Sequence, residues 1–534
     1  MREKYSLGLD FGTLSVRALV VSTLDGSIAG ESVFEYPHGV MTECLPDGTR
    51  LPAHFALAHP QDYLDALYTV IPDVLRKAGI SGDELCGIGL DVTSPTAIAL
   101  DASGTPLALQ PGFASHPHAY IKLWKHHGSA GQWAKRIDGA KGAAEWLEYY
   151  GGSVNCEFII PKALETQDSD PLVWESCAVF CEVGDWLCRE LTGTSCGSEM
   201  MASCNALHFH GSYPSEAMFR EIAPGKSPVS EKLITPKLSV GTAAGALRPE
   251  AAARLGLPAD IPVAPSMIDS HASVIGCGAA EAGQLVAVLG TSACYMLNGK
   301  TETPVRGSCC VAWEANTPGT FGYESGQTCF GDGLNWVVNT CAAQEYYAEA
   351  ESRGVSLHAL LQNKCADFAP GGSGLLVLDW WNGVRSPLKR PELSAVIAGL
   401  TLQTRPEHIY HAAMESLCFG ARRIVDSYIS AGQQVNKVFA AGGIAKKSPV
   451  LMQLLADVLG LEIHICESGQ TGALGSAIAG AAAENGDLLT LMERMSSKIC
   501  ASFKPNPSNS AEYDELYEHY LRLSRTFEEN AFLH

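Results

Sequence analysis

No run of about 18 apolar residues, the length a membrane-spanning helix requires, occurs in the 534-residue chain; its longest candidate, ALGSAIAGAAA at Ala473–Ala483, is too short. Basic residues are scarce. The 37 Lys and Arg against 58 Asp and Glu leave a net charge of −21, which argues against a general nucleic-acid or anionic-membrane binder, since both reward a basic surface. The N-terminal MREKYSLGLDFG enters a strand without a separate apolar signal region or cleavage site, so the expected location is cytoplasmic. Three catalytic signatures are missing as well. Without G-x-x-x-x-G-K-[ST] there is no Walker-type P-loop. Without G-x-S-x-G no elbow presents a serine to His271, and without G-x-G-x-x-G after the first strand a nicotinamide oxidoreductase is disfavoured. The 18 cysteines are dispersed in apolar surroundings with no C-x-x-C pair, the pattern of reduced, buried thiols in a cytosolic enzyme.

What is present is hydrophobic substance: 46% of the residues are hydrophobic, enough in a chain of this length for two or more cores. Strand-like runs punctuated by turns recur at Ser6–Asp10, Val16–Ser22, Ser27–Tyr36, Cys86–Asp91 and Ala97–Asp101. Between them, His59–Ile80 has apolar residues at helical spacing and an Ala-Gly stop. Hairpins followed by a helix and a further strand indicate a mixed α/β sheet. QLVAVLGTSACYMLNG at Gln284–Gly299 repeats the strand, Gly-Thr, strand layout of the opening LGLDFGTLSVRALVVS, which suggests a second, related domain. The boundary is expected near Leu247–Pro265, where a helix, a Gly-Leu-Pro turn and a new strand follow one another. Ser510–Asn530 reads as a final amphipathic helix.

Asp10 poses a chemical question, because a carboxylate in a buried strand needs a partner. Gly12-Thr13 and Gly290-Thr291-Ser292 combine small backbone with short hydroxyls, a pairing that allows close approach to phosphate oxygens. Two such hairpins suit a polyphosphate, and Asp10 would then face a Mg2+ ion rather than a protein cation; each hairpin alone is equally an ordinary β-turn. VFAAGGIAKKSPVLMQLLADVLG at Val438–Gly460 reads as a strand, a Gly442-Gly443 turn and a helix from about Ser448-Pro449. It suits an adenosine or phosphate group, or is simply a glycine turn feeding a core helix. In APSMIDSHASVIGCG, Asp269 ends an apolar strand before a small-residue helix, a position for a general base or for an N-cap. The histidines of HPHAYIKLWKHH (His116–His127) lack metal spacing and are expected to face substrate or solvent. Trp124 and Glu324 are candidates for holding a sugar.

Together these motifs resemble the FGGY family of carbohydrate kinases over nearly the whole chain. Ala395–Arg422 is similar to a family signature, with Gly399, His408 and Glu415 at its spacing. YPHGVM, HPHAYIKLWKHH, LDWWNGVRSP, GYESGQ and GGIAKKSPVLMQLLADVL look like the ribulose-phosphorylating branch. The resemblance implies two actin-like (RNase H-like) ATPase domains of mixed sheets flanked by helices, residues 1–255 holding sugar and the first phosphate motif and residues 256–534 the nucleotide. It places ATP in the cleft between them and lets the last helix return to the first domain. It assigns Asp10 to Mg2+ through water, Gly12 and Thr13 to the first phosphate motif, Gly290, Thr291 and Ser292 to the second, and Gly442, Gly443 and Lys446 to adenosine. Asp269 matches the catalytic base, Glu324 a substrate-binding acid, and Ser94 a backbone contact to the sugar. The implied reaction is ATP-dependent phosphorylation of L-ribulose to L-ribulose 5-phosphate in L-arabinose catabolism. Alternatives are another sugar or polyol, such as D-ribulose or xylulose, and an actin-like ATPase sensor. The implied partners are the sugar and ATP, without nucleic acid or membrane; a homodimer is an open option. One departure concerns the substrate: where that branch carries a lysine in a Ser-Ala-Gly-x-Lys-x-x-Trp-like segment, MASCNALH offers Asn205 and ends in His208, a hydrogen-bonding side chain without charge. The chain is also short through Gly139–Gly152, so the lid over the sugar is expected to differ.

Overall fold

The computed structural model describes residues 4–233 and 236–529. They form two compact units: 1–280 with 310–323 and 470–497, and 281–309 with 324–469 and the residues from 498 onward. No helix among the described residues is long and apolar enough to cross a membrane.

The first unit is built on β1 (Tyr5–Phe11), β2 (Ser15–Ser22), β3 (Ile28–Glu35), α1 (Pro60–Ala78) and β4 (Leu85–Val92). β1 pairs antiparallel with β2 and parallel with β4, and β2 continues to β3 at the edge. Central β1 and β4 are covered on both faces and read as near-continuous apolar runs, whereas edge strand β3 is mostly exposed. The chain then supplies β5 (Ala97–Leu100), α2 (Ile159–Ser169), β6 (Val179–Glu182), α3 (Glu199–Asn205), β7 (Met267–Ile268) and α4 (Asp269–Gly276). β7 joins the sheet beside β4, and β5 pairs antiparallel with β6.

A helix from far along the chain, Thr471–Asn485, completes this unit. It seats directly on β1 and β4, because a Cβ at Gly8 would overlap the Ala473 carbonyl and one at Gly89 the Ser476 carbonyl. The small-residue stretch around Ala473–Ala483 is therefore an inner packing helix.

The second unit comprises β8 (Gln284–Leu289), β9 (Ala293–Gly299), β10 (Phe321–Gln327, entering this unit at Glu324), α5 (Gly331–Cys341), α6 (Pro406–Ser430), β11 (Lys437–Ala441), α7 (Gly443–Lys447), α8 (Pro449–Leu459), β12 (Ile463–Cys466), β13 (Ile499–Phe503) and α9 (Pro507–Glu529). Its sheet runs β10-β9-β8-β11-β12-β13, with β8 antiparallel to β9 and parallel to β11. The hairpin echo is thus a repeated structural position: β1-β2 and β8-β9 each lie in a mixed sheet next to a parallel strand.

Two expectations about the division change. The boundary placed at 255/256 falls inside the first unit, which runs on to Ala280 so that β7 and α4 join the sheet of β4. The segment that returns to the first unit is 470–497, not the last helix. α9 packs within the second unit, where Tyr520 donates to Asp379 at 2.7 Å and Arg423 to Ser524 at 2.6 Å. Residue 530, the expected end of that helix, lies outside the described residues.

Candidate active site

In the first unit the sheet register explains the partners of Asp10. It lies opposite Arg17 on β2 and beside Asp91 on β4, and Asp91 in turn neighbours Met267 on β7, two residues before Asp269. Arg17 Nη1 is 3.5 Å from Asp10 Oδ2. Asp91 is completely buried and accepts 2.6 Å from Ser476 Oγ, while its Oδ1 receives no donor. Burial raises the Asp10 carboxyl above the usual carboxylate range, against the pull of Arg17. Burial, then the charge of Asp10 and, more weakly, that of Asp269, push Asp91 well above it. Several carboxyls forced together in a dry site carry excess negative charge, which a divalent cation relieves. The undonated Asp91 Oδ1 and this crowding make the cluster a fitting Mg2+ site. Asp269 opens α4 and accepts 2.7 Å from Ser270 N, its own first-turn amide. The N-cap of α4 is Ile268 rather than Asp269, and Asp269 stands within electrostatic reach of Asp91.

Asp91 was not among the residues singled out from the sequence. Its signal was there: Gly-Leu-Asp occurs at Gly8–Asp10 and again at Gly89–Asp91, on adjacent parallel strands.

The Gly12 N–H is used inside its own turn, donating to Ser15 O at 2.9 Å. Thr13 Oγ1 accepts from Trp124 Nε1 at 3.0 Å, so Trp124 braces the Gly-Thr turn after β1. Ser94 belongs to a polar chain: Asn205 Nδ2 donates to Ser94 Oγ, and Ser94 Oγ to Glu182 Oε1, both at 2.8 Å. Glu182 also accepts from Thr96 N at 2.8 Å. Burial raises the Glu182 carboxyl to about 8 and lowers the Lys162 ammonium to about 8, each opposed by the other's charge. Lys162 donates to the carbonyls of Pro95 and Leu123 at 2.7 and 2.9 Å. This buried frame holds the turn after β4 that presents Ser94.

The histidines after His116 are not simply exposed. His118 and His126 are buried, and His126 lies 3.0 Å from Glu165, which also pairs with Lys122 at 2.6 Å. His118 and His126 are therefore interior, whereas His127 is half-exposed and pairs with Glu157 at 2.8 Å.

In the second unit the Gly290 N–H is likewise spent within its turn, on Ser292 O at 2.9 Å, and the carbonyls of Gly290 and Thr291 accept from the first amides of α5. Thr291 is left exposed. Gly442 has φ +94°, and a Cβ there would overlap the Leu289 carbonyl, so the end of β11 closes on the end of β8 only because this residue is glycine. Gly443 faces open space and begins α7, a short helix where only a turn was expected. Lys446 on α7 donates to the Glu467 carbonyl. Thr291, Gly443 and Lys446 are exposed, whereas Gly290, Ser292 and Gly442 are half-buried. Glu324 lies on β10, its carbonyl accepting from Cys309 N at 2.7 Å. Its charge, after burial, helps push the Cys309 thiol up to about 12, while Arg385 and Lys389 oppose it.

Paired mixed-sheet units, one with a carboxylate cluster beside a Gly-Thr turn and the other with an exposed Gly443 after a parallel strand, define a two-domain α/β phosphotransferase. The model of the FGGY family of carbohydrate kinases, N-terminal domain, matches residues 5–276, and that of the C-terminal domain residues 285–484. The chain belongs to the FGGY family of carbohydrate kinases. It is 39% identical to the ribulokinase of Geobacillus thermodenitrificans over 99% of this chain and 95% of that protein, and 40% identical to the ribulokinase of Mycolicibacterium smegmatis over 99% and 94%. The crystal structure of xylulose kinase from Rhodospirillum rubrum superposes with a TM-score of 0.80 at 21% identity, over 98% of this chain and 99% of that one, a likeness of fold. A kinase of this family uses ATP and typically a divalent metal.

Proposed function

We propose that the protein phosphorylates the terminal hydroxyl of a ketopentose, L-ribulose above others, yielding L-ribulose 5-phosphate for arabinose breakdown in the cytoplasm. The observation that carries this reading is the full-length similarity to proteins named ribulokinase, and the carboxylate cluster around Asp10, Asp91 and Asp269 supports it. Asp269 takes the proton from the attacking hydroxyl, so that the oxygen bonds to the γ-phosphorus as ADP leaves. The Ser94 and Asn205 pair orients the sugar on the frame of Glu182 and Lys162, and Glu324 accepts a second hydroxyl. Thr13, Thr291 and Ser292 position phosphate oxygens, while Gly442, Gly443 and Lys446 bind the adenosine side. Asp10 and Asp91 would hold Mg2+, which when bound neutralises charge on the β and γ phosphates.

The test is ADP release by the purified protein with Mg-ATP and L-ribulose, D-ribulose, the xyluloses, glycerol or L-arabinose. Strongest stimulation by L-ribulose is expected. Asn205, uncharged and already donating to Ser94, favours a second reading in which another ketopentose or polyol is preferred, and stimulation led by that compound would establish it. Turnover indifferent to every sugar would refute the kinase reading. Asp269→Asn should lower turnover about 10^2- to 10^4-fold with ATP binding retained by calorimetry; unchanged turnover would remove Asp269 from the base role.

A further inference from the structure

Two cysteines more than a hundred residues apart in sequence meet in the first unit. Cys204, in the last turn of α3, and Cys310, the first residue of the strand Cys310–Trp313, place their Sγ atoms 3.1 Å apart. Neither is more than 1% exposed. Both are reduced thiols. A ring nitrogen of His271, in the first turn of α4, lies within 4.8 Å of both sulfurs, and His271 is completely buried.

The histidine is already oriented. Its Nδ1 is 2.8 Å from the Ala315 carbonyl; a carbonyl only accepts, so Nδ1 carries the proton and Nε2 the lone pair. A backbone carbonyl fixing one ring nitrogen is the usual arrangement around a metal-ligating histidine. Ligand softness narrows the choice of metal: two thiolates and an imidazole, with the Glu324 carboxylate also within 4.8 Å of them, form a donor set that suits Zn2+. Tetrahedral Zn2+ with Zn–S bonds of about 2.3 Å holds its two sulfurs about 3.8 Å apart, so binding must part the two Sγ atoms from their 3.1 Å contact. The Glu324 carboxylate is the protein donor for the fourth tetrahedral position.

We propose that Cys204, Cys310, His271 and Glu324 form a thiolate-rich Zn2+ site, separate in chemistry from the carboxylate cluster. Binding one Zn2+ converts two thiols to thiolates and releases two protons to the buffer. It also pins the last turn of α3, which carries Asn205, the donor to Ser94.

The experiment uses the full-length protein, kept reduced, stripped by a chelator and titrated with Co2+ as an optical probe. One equivalent should produce an intense near-ultraviolet sulfur-to-cobalt band, bleached on adding Zn2+, and calorimetry of Zn2+ in buffers of different ionisation enthalpy should report proton release. Cys204→Ser and Cys310→Ser should each weaken or abolish the band, whereas Cys500→Ser, an exposed thiol elsewhere, should leave it intact. A second measurement needs no variant: Zn2+ should protect the Cys204 and Cys310 peptides of the native protein from alkylation, read by mass spectrometry. Absence of the band and of protection would overturn the proposal, as would a band that survives both substitutions. Recovery of a Cys204–Cys310 disulfide from protein purified without reductant and indifferent to Zn2+ would overturn it in favour of an oxidisable pair.

Discussion

Asp91 shows how one side chain exchanges stability for function. Its carboxyl is raised well above the ordinary range by burial and by Asp10, so above the unfolded carboxylate range the unfolded chain sheds this proton more readily than the folded one. Stability then falls as pH rises. Asp91→Asn removes that cost, and its melting temperature in metal-free buffer should exceed that of the parent. The concentration of Mg2+ needed for half-maximal activity should rise by about tenfold or more. A variant no more stable, with an unchanged Mg2+ requirement, would remove Asp91 from the cluster's function. The buried histidines have the opposite slope. Burial lowers His118 to about 3 and His126 to about 4, so below pH of about 6.5 the unfolded chain takes up protons that the folded one refuses, and stability falls with falling pH. Each pH unit between the folded and unfolded values is worth about 1.4 kcal/mol, so each histidine contributes a few kcal/mol over that window. Urea unfolding at pH 7 and pH 4.5 should show the loss, and His126→Gln should flatten it; an identical pH slope in the variant would sink this account. Asp10 was legible because a charge in an apolar strand is conspicuous, whereas the roles of Glu182 and Lys162 were not, since nothing local marks a side chain that works through Ser94 or Pro95.

Among the elements, the helix Thr471–Asn485 matters most for the first unit. Its contact with β1 and β4 leaves no room for a methyl at Gly8 or Gly89, and the same contact brings Ser476 to Asp91 at 2.6 Å. Gly89→Ala must push the helix off the sheet, costing about 1–3 kcal/mol or more and lengthening that hydrogen bond. Calorimetry should find a lower melting temperature together with weaker Mg2+ dependence; a fully stable variant would show that the interface yields. Strands β1, β2, β4, β5, β8 and β9 and helix α1 were readable from alternation, helical spacing and turn residues. α7 was not, because Gly442-Gly443 reads as a turn and a five-residue helix is too short to show helical spacing in the sequence.

At the scale of the whole molecule, the first unit draws on three stretches of chain. A chain ending at Ala280 lacks the helix that covers β1 and β4 and should express as an insoluble or poorly packed species, with recovery of near-ultraviolet dichroism when residues 470–497 are supplied as a peptide. Cooperative unfolding of residues 1–280 alone would contradict this. The sequence by itself determined the mixed α/β class, the paired Gly-Thr hairpins and the kinase family, because alternation, glycine turns and motif spacing are local and survive without knowledge of contacts. Only the tertiary structure decided that Asp91 joins Asp10, that residues 470–497 rather than the last helix complete the first unit, and that Cys204, Cys310 and His271 converge. Sheet register and long-range packing bring together residues separated by tens to hundreds of positions, and no local pattern records which of many apolar segments, glycines or cysteines will be the partner.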